Sequence, residues 1–363
     1  MKKTLIALAA VAATGAFAQS SVQIDGVMDA GFQSINYKGS NNTVNGIGNN
    51  GSSTSQINFR GTEDLGGGLK ANFRVETDWN TVSNNGNTGA KKADGTVAAA
   101  SSFGNGEIRV GLAGGFGSID AGAVNYNTLG TYLTGQPFGT AIGSGFRATA
   151  VNDAQAVSGV RSDNSVKYVS PSFNGLTASL YYAGKQTKSG TAVATDTNFS
   201  TSFGAYDMQG TQEIGLNYAN GPLAASFSSL KQDFKQVGTG STDSTVNTLG
   251  VNYALGAAKL FLLNQTNKKS DNTVDNSYTT VSATYTMGAT VLMAQAGSLK
   301  VKSGAKSDIA ALGADYNLSK RTAVYARYES IDNVVATGIA ASATIDGAGT
   351  KRTRTAIGVR HAF

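Results

Sequence analysis

Residues 69–79 read LKANFRVETDW. Leu69, Ala71, Phe73, Val75 and Trp79 alternate with Lys70, Asn72, Arg74, Glu76 and Asp78. A two-residue period makes one face of an extended strand apolar and the other polar or charged. Such a strand can turn its apolar face to a protein core, or to lipid with the charges in a wet interior. The rest of the chain decides between these.

The beginning of the sequence points outward from the cytoplasm. Met1-Lys2-Lys3 is basic, Leu5–Ala13 is an apolar run, and Ala16-Phe17-Ala18 is a small-x-small cleavage site. This pattern is that of a secretory signal peptide, expected over residues 1–18, with the folded domain over 19–363. The chain has no cysteine, so an exported fold gets no disulfides. His361 is the single histidine, which excludes histidine metal clusters, and no carboxylates stand at calcium-loop spacing. Neither a metal nor another cofactor is expected. No long apolar run follows the signal peptide, so no membrane-spanning helix is expected. The mean hydropathy of −0.15 resembles that of a soluble protein. A transmembrane barrel has the same average, because lipid-facing and lumen-facing residues alternate along each strand.

About sixteen strands are expected, roughly at 22–37, 54–63, 68–80, 103–114, 116–125, 164–172, 176–184, 212–219, 222–233, 244–254, 258–267, 277–287, 289–301, 307–317, 322–331 and 351–363. Tight turns, each with Gly or Asn, fall at 64–67, 172–175, 220–221, 255–257, 287–289 and 317–321. Between them lie Ser/Thr/Asn/Gly-rich stretches expected to be loops, at 38–53, 81–102, 126–163, 185–211, 234–243, 268–276, 302–306 and 332–350. In an up-and-down sheet this alternation gathers the long loops at one end, as in outer-membrane barrels. An even strand count puts both termini at the short-turn end, and residues 22–33 are expected to pair with 351–363. A β-sandwich of this length would need several domains, and a solenoid would need a fixed repeat. The chain shows neither a composition break nor a recurring motif. The expected fold is therefore an all-β, 16-stranded antiparallel transmembrane barrel, wide enough for an aqueous channel. Leu69, Phe73, Val75 and Trp79 should face lipid, and Lys70, Arg74, Glu76 and Asp78 the lumen.

Four segments resemble the Gram-negative general porins, in particular their beta-proteobacterial branch. SQINFRGTEDLGGGLKANFRVE (55–76) is similar to the family's strand 2–turn–strand 3 signature, and GLAGGFGSIDAGAVNYN (111–127) to its strand 4–strand 5 hairpin. NSVKYVSPSFNGLTASLYYA (164–183) is similar to the next hairpin, and GVRHAF (358–363) to the closing strand. The resemblance implies a homotrimer in outer-membrane lipid that passes small hydrophilic solutes and ions, with a long third loop, here 126–163, folded into the pore. It also implies that Phe363 is read by the barrel-assembly machinery.

The chain departs from the family where selectivity is set. Gln56 and Ala123 stand where relatives commonly carry Arg. The loop-tip motif is Gln136-Pro137-Phe138-Gly139-Thr140, without its acid, and Tyr126–Phe146 holds no charged residue. The remaining constriction candidates are Arg74, Arg109, Arg147, Arg161 and Lys167, with the acids Glu107, Asp153 and Asp163. Lumen charges on the strands, with Arg352, Arg354 and Arg360 added, favour the basic side and imply a weakly anion-preferring, weakly polarised channel.

Other functions fit less well. A barrel lipase needs a Ser-His pair at the outer rim, whereas His361 belongs to the opposite end. A rim protease could use Asp271 and Asp275, but no histidine accompanies them. No enzymatic activity is expected. The alternatives are a substrate-specific channel or a non-conducting adhesive barrel. Nucleic acid is not an expected partner, since the basic residues alternate along strands and form no patch.

Overall fold

The structure, a computed structural model, describes residues 21–38, 43–82, 103–145, 160–184, 206–236, 240–334, 337 and 351–363. The signal peptide expected at 1–18, and the candidates Arg147 and Asp153, lie outside these residues. The strands are β1 (Ser21–Lys38), β2 (Thr43–Asn49), β3 (Gln56–Gly66), β4 (Leu69–Asp78), β5 (Ile108–Gly114), β6 (Gly117–Asn125), β7 (Arg161–Val169), β8 (Leu176–Ala183), β9 (Tyr206–Asn220), β10 (Leu223–Gln236), β11 (Gly240–Leu255), β12 (Ala258–Lys269), β13 (Asp275–Met287), β14 (Thr290–Lys300), β15 (Lys306–Asn317), β16 (Thr322–Asp332) and β17 (Lys351–Ala362). One helix, α1 (Asn127–Thr134), follows β6.

All strand pairs are antiparallel, and β1 closes on β17 from Val27↔Ala362 to Lys38↔Lys351. Gly26 and Phe363 then exchange two backbone hydrogen bonds of 3.1 Å. The seventeen segments fill sixteen places in the wall. On its other edge β1 pairs with β2 over Asn36–Ala30 and with β3 over Val27–Ser21, so β2 and β3 share one place.

The alternation of the opening stretch continues around the barrel. Phe32, Val110, Leu180, Ile214, Val281, Leu312 and Ile357 are exposed on the outside. Their strand neighbours Ser179, Glu213, Thr280, Ser282, Ala311 and Ala356 are buried on the inside. Phe73 and Trp79 are exposed, while Arg74 and Glu76 pair inward. Tyr253, Tyr285 and Tyr316 lie outward beside the short turns after β11, β13 and β15, forming part of an aromatic girdle at one membrane interface. His361 shares a 2.9 Å hydrogen bond with Thr322 at this same end.

Four expectations need correction. The stretch 38–53 is not one loop, since Thr43–Asn49 is a strand. Its TVNGIGN sequence is too rich in Gly and Asn to signal a strand, and its pairing with β1 supplies what propensity does not. Residues 103–107 are not part of β5, because Gly104 turns with φ 76°. The 234–243 stretch is largely strand, since β10 runs to Gln236 and β11 starts at Gly240, and the 268–276 loop shortens to 270–274 between β12 and β13. Thr242–Thr245 and Lys268–Lys269 are polar at successive positions, so the alternation fades while the ladder continues. Residues 27–38 of β1, not 22–33, pair with β17.

The two faces predict opposite responses to one added charge. Val281 is 57% exposed on the outside, and an arginine at mid-bilayer costs about 2–4 kcal/mol. Val281→Arg is expected to block assembly of the folded barrel, seen as loss of the heat-modifiable band in electrophoresis. Gln56→Arg, which points into the lumen, is expected to assemble normally.

Candidate functional site

The site begins where β6 ends. Tyr126 packs edge-on against Tyr181 with centroids 5.0 Å apart, and its hydroxyl meets that of Ser162. Burial pushes the Tyr126 phenol above its usual range, so it stays protonated. From here the chain turns inward as α1. A helix leaves its first N–H groups without partners, and the N-cap residue Tyr126 offers no side-chain cap. Glu213 of β9 supplies it. Its carboxylate accepts from Asn127 N, from Thr128 N at 2.6 Å and from Thr128 Oγ1 at 2.6 Å.

The helix lies against the inner wall. Thr131 bonds Ser226 at 2.6 Å, and Asn252 Nδ2 donates to Thr134 O at 2.8 Å. A Cβ at Gly250 would collide with Thr131 O, so β11 needs glycine there for the helix to approach. Ser226 and Gly250 flank the outward Phe227 and Leu249, which places α1 on the side opposite to lipid.

The segment after the helix continues around the wall. Phe138 packs on Met293 and Ala311, and Ile142 on Tyr325 and Ala356. Tyr132 and Tyr278 both donate to Ser144 O, at 2.7 and 3.1 Å. Burial raises the Tyr132 phenol as well, which keeps this donor protonated. Gln295 Nε2 donates to Gly143 O at 2.9 Å, and Gly143 N donates to Glu329 at 3.1 Å. Glu329 is fully buried and also binds Arg352 and Arg354, at 3.1 and 2.8 Å.

Residues 126–145 therefore line one side of the lumen, from β9 to β17. The space left is a cavity of about 580 Å³. Leu129, Leu133 and Pro137–Thr140 form its loop side, which carries no charge. Four arginines line it, Arg74, Arg161, Arg327 and Arg360, together with Glu76, Asp78 and Asp315.

Of the constriction candidates named from sequence, Arg74 and Arg161 line this cavity, as do the expected lumen residues Glu76, Asp78 and Arg360. Arg74 pairs with Glu76 and, at 2.8 Å, with Glu107; Arg161 lies 3.9 Å from Glu76. Glu107 and Arg109 stand behind them as part of the same network, with Arg109 bound to Asp120 and Asn72. Lys167 is turned to the loop's base, donating to Asn125 O at 3.0 Å. Asp163 sits in β7 and does not line the cavity. Sequence reasoning missed Asp29, Glu213, Asp315, Arg327 and Glu329. Strand parity was the available signal for the last three, since Leu312, Val324 and Tyr328 mark the outward positions beside them. No group of residues able to hold a metal occurs among the described residues.

The comparisons agree with this architecture. The family model for Gram-negative porins matches residues 4–336. The chain belongs to the Gram-negative porins. It is 34% identical to outer membrane porin protein 32 of Delftia acidovorans over the full length of both chains. It is 31% identical to an outer membrane porin protein of Bordetella pertussis, over 72% of this chain and 68% of that one. Among solved structures, an anion-selective porin from Comamonas acidovorans superimposes with TM-score 0.73 at 31% identity, covering 95% of this chain and all of the other. OmpF of Salmonella typhi shares the fold, with TM-score 0.65 at 14% identity, over 94% of this chain and 97% of that one. This porin is thus an outer-membrane β-barrel channel, not an enzyme.

Removing the wall carboxylate that caps α1 should loosen the constriction. Glu213→Ala leaves buried N–H groups unpaired, a penalty of about 1–3 kcal/mol each. The expected result in planar-bilayer recordings is a larger and noisier single-channel current, with partial recovery in Glu213→Gln.

Proposed function

We propose that this porin passes small hydrophilic solutes passively and prefers anions weakly. The observation that carries the proposal is the charge lining of the constriction, four guanidinium groups against three carboxylates. Arg327 is matched by Asp315 at 2.7 Å, and Arg74 and Arg161 share Glu76. Arg360 and Asp78 have no ion-pair partner among the described residues, and the four-to-three lining leaves one positive charge in excess. The facing loop is neutral, so it adds no opposing acidic surface. Two unit charges 4 Å apart in water interact by about 1 kcal/mol, which supports a several-fold preference and not an absolute gate. Screening over about 8 Å at physiological salt confines the effect to the constriction. The similarity to a porin described as anion-selective points the same way.

The exported chain is proposed to begin after Ala18, with the barrel over 19–363. The assembly is proposed to be a homotrimer whose insertion uses Phe363 as a signal to the barrel-assembly machinery. Family membership supports both.

A reversal potential across a salt gradient measures the preference. It is expected to show anion preference of a few-fold that falls as salt rises. Arg360→Gln should move it toward zero, and Gln56→Arg should strengthen it. Cation selectivity in the unmodified protein would overturn the proposal.

For the trimer, native electrophoresis in mild detergent should give one band of three chains that converts to monomer on heating. A monomer at every protein concentration would count against it.

A further inference from the structure

The break between β2 and β3 is not an ordinary irregularity. On β1, Ala30 pairs with Asn49 and Val27 pairs with Gln56. Only Met28 and Asp29 therefore stand opposite residues 50–55. A β-bulge usually sets two residues against one; here the surplus is larger, and the chain has to leave the wall.

It leaves inward. Asp29 lies on the lumen side of β1, alternating with the exposed Ile24 and Phe32, and is fully buried. Its carboxylate accepts from Gly51 N at 3.3 Å, Ser52 N at 2.8 Å, Ser53 N at 2.7 Å and the Tyr325 hydroxyl at 2.6 Å. Asn50, with φ 59°, closes the excursion by accepting from Ser55 N at 2.7 Å. A Cβ at Gly51 would collide with the Tyr325 hydroxyl, so the segment is seated tightly. Ser52, Ser53 and Thr54 line the same cavity as Pro137–Thr140.

The two segments meet. Thr54 Oγ1 lies 3.0 Å from Thr140 Oγ1. Arg327 donates to Ser52 Oγ at 2.8 Å, and its guanidinium stands 6.0 Å from the centroid of the Phe138 ring. One buried cation thus touches both.

We propose that Asn50–Ser55 is a second jaw of the constriction, in contact with Pro137–Thr140 and extending it along the lumen rim, and that the pair together sets the size limit for solutes. Asp29 is the positioning residue that holds the second jaw in the lumen. The proposal concerns cross-section and is independent of ionic preference, because it is read with neutral sugars.

The test combines planar-bilayer conductance with liposome swelling in neutral sugars of increasing size. Thr54→Arg and Thr140→Arg are each expected to lower conductance by roughly half, since both fill one narrow section of the pore. Both should also lower the sugar size limit. Asp29→Ala should raise it. The chain contains no cysteine, so the double variant Thr54→Cys/Thr140→Cys gives an unambiguous cross-link. An oxidant should form the cross-link in the folded barrel with the conductance kept, because the two side chains already touch, and a reductant should open it again. If Asp29→Ala does not assemble, the arginine and cysteine variants decide alone. The proposal is overturned if Thr54→Arg keeps the conductance and size limit of the unmodified protein while Thr140→Arg lowers both. It is also overturned if the cysteine pair stays open under oxidant in a folded barrel.

Discussion

Hydrocarbon offers no hydrogen-bond partner to a peptide group, so every backbone N–H and C=O within the membrane has to be satisfied by the chain itself. The rest of this structure follows from that constraint. It forces β1 onto β17 along twelve register pairs and carries the ladder to the last residue, where Phe363 exchanges bonds with Gly26. It also explains why irregular backbone lies on one side only. Residues 50–55 and 126–145 leave the regular ladder, and both go into the lumen, where side chains can complete their bonding.

Three of those side chains are carboxylates. Glu213 receives the N-terminus of α1, Glu329 receives Gly143 N, and Asp29 receives three successive N–H groups of the 50–55 segment. Hydrogen bonds to an ionised acceptor are stronger than those between neutral groups. A buried acceptor of this kind therefore fixes a loop more firmly than a serine or asparagine would. The three anchors differ in their own compensation. Glu329 is matched by two arginines. Glu213 relies on the donors of the segment it holds, and Asp29 on those of its segment together with the Tyr325 hydroxyl, so each segment and its anchor stabilise one another.

The same economy of charge shapes the pore. Most guanidinium groups on the wall are already engaged: Arg352 and Arg354 with Glu329, Arg327 with Asp315, Arg109 with Asp120. Engaged pairs contribute shape more than field. On the loop side Leu129, Leu133 and Pro137–Thr140 carry no charge, so the outline of the cavity there is drawn by aliphatic side chains, one proline, one aromatic ring and a hydroxyl.

The alternation in 69–79 and its repeats determined the barrel, its strand number and the lipid face, because a two-residue period with lipid on one side tolerates no other arrangement. The same parity placed Arg74 on the lumen side, and the uncharged character of 126–146 was visible by inspection. Signals failed where polarity ceased to alternate. TVNGIGN is a strand only because β1 lies beside it, and the β11–β12 ladder continues through the successive polar residues Ser244, Thr245, Lys268 and Lys269. The site itself came from tertiary structure. Asp29 and Tyr325 are 296 positions apart, and Gly143 and Glu329 are separated by 186. No local pattern records such meetings, because they are created by closing the sheet and folding one loop across it. The sequence alone determined which residues could face the water of the pore, since facing is a property of one strand. Which of them meet across the pore, and so which are paired and which are left to act on a solute, only the closed barrel decided, since pairing is a property of two.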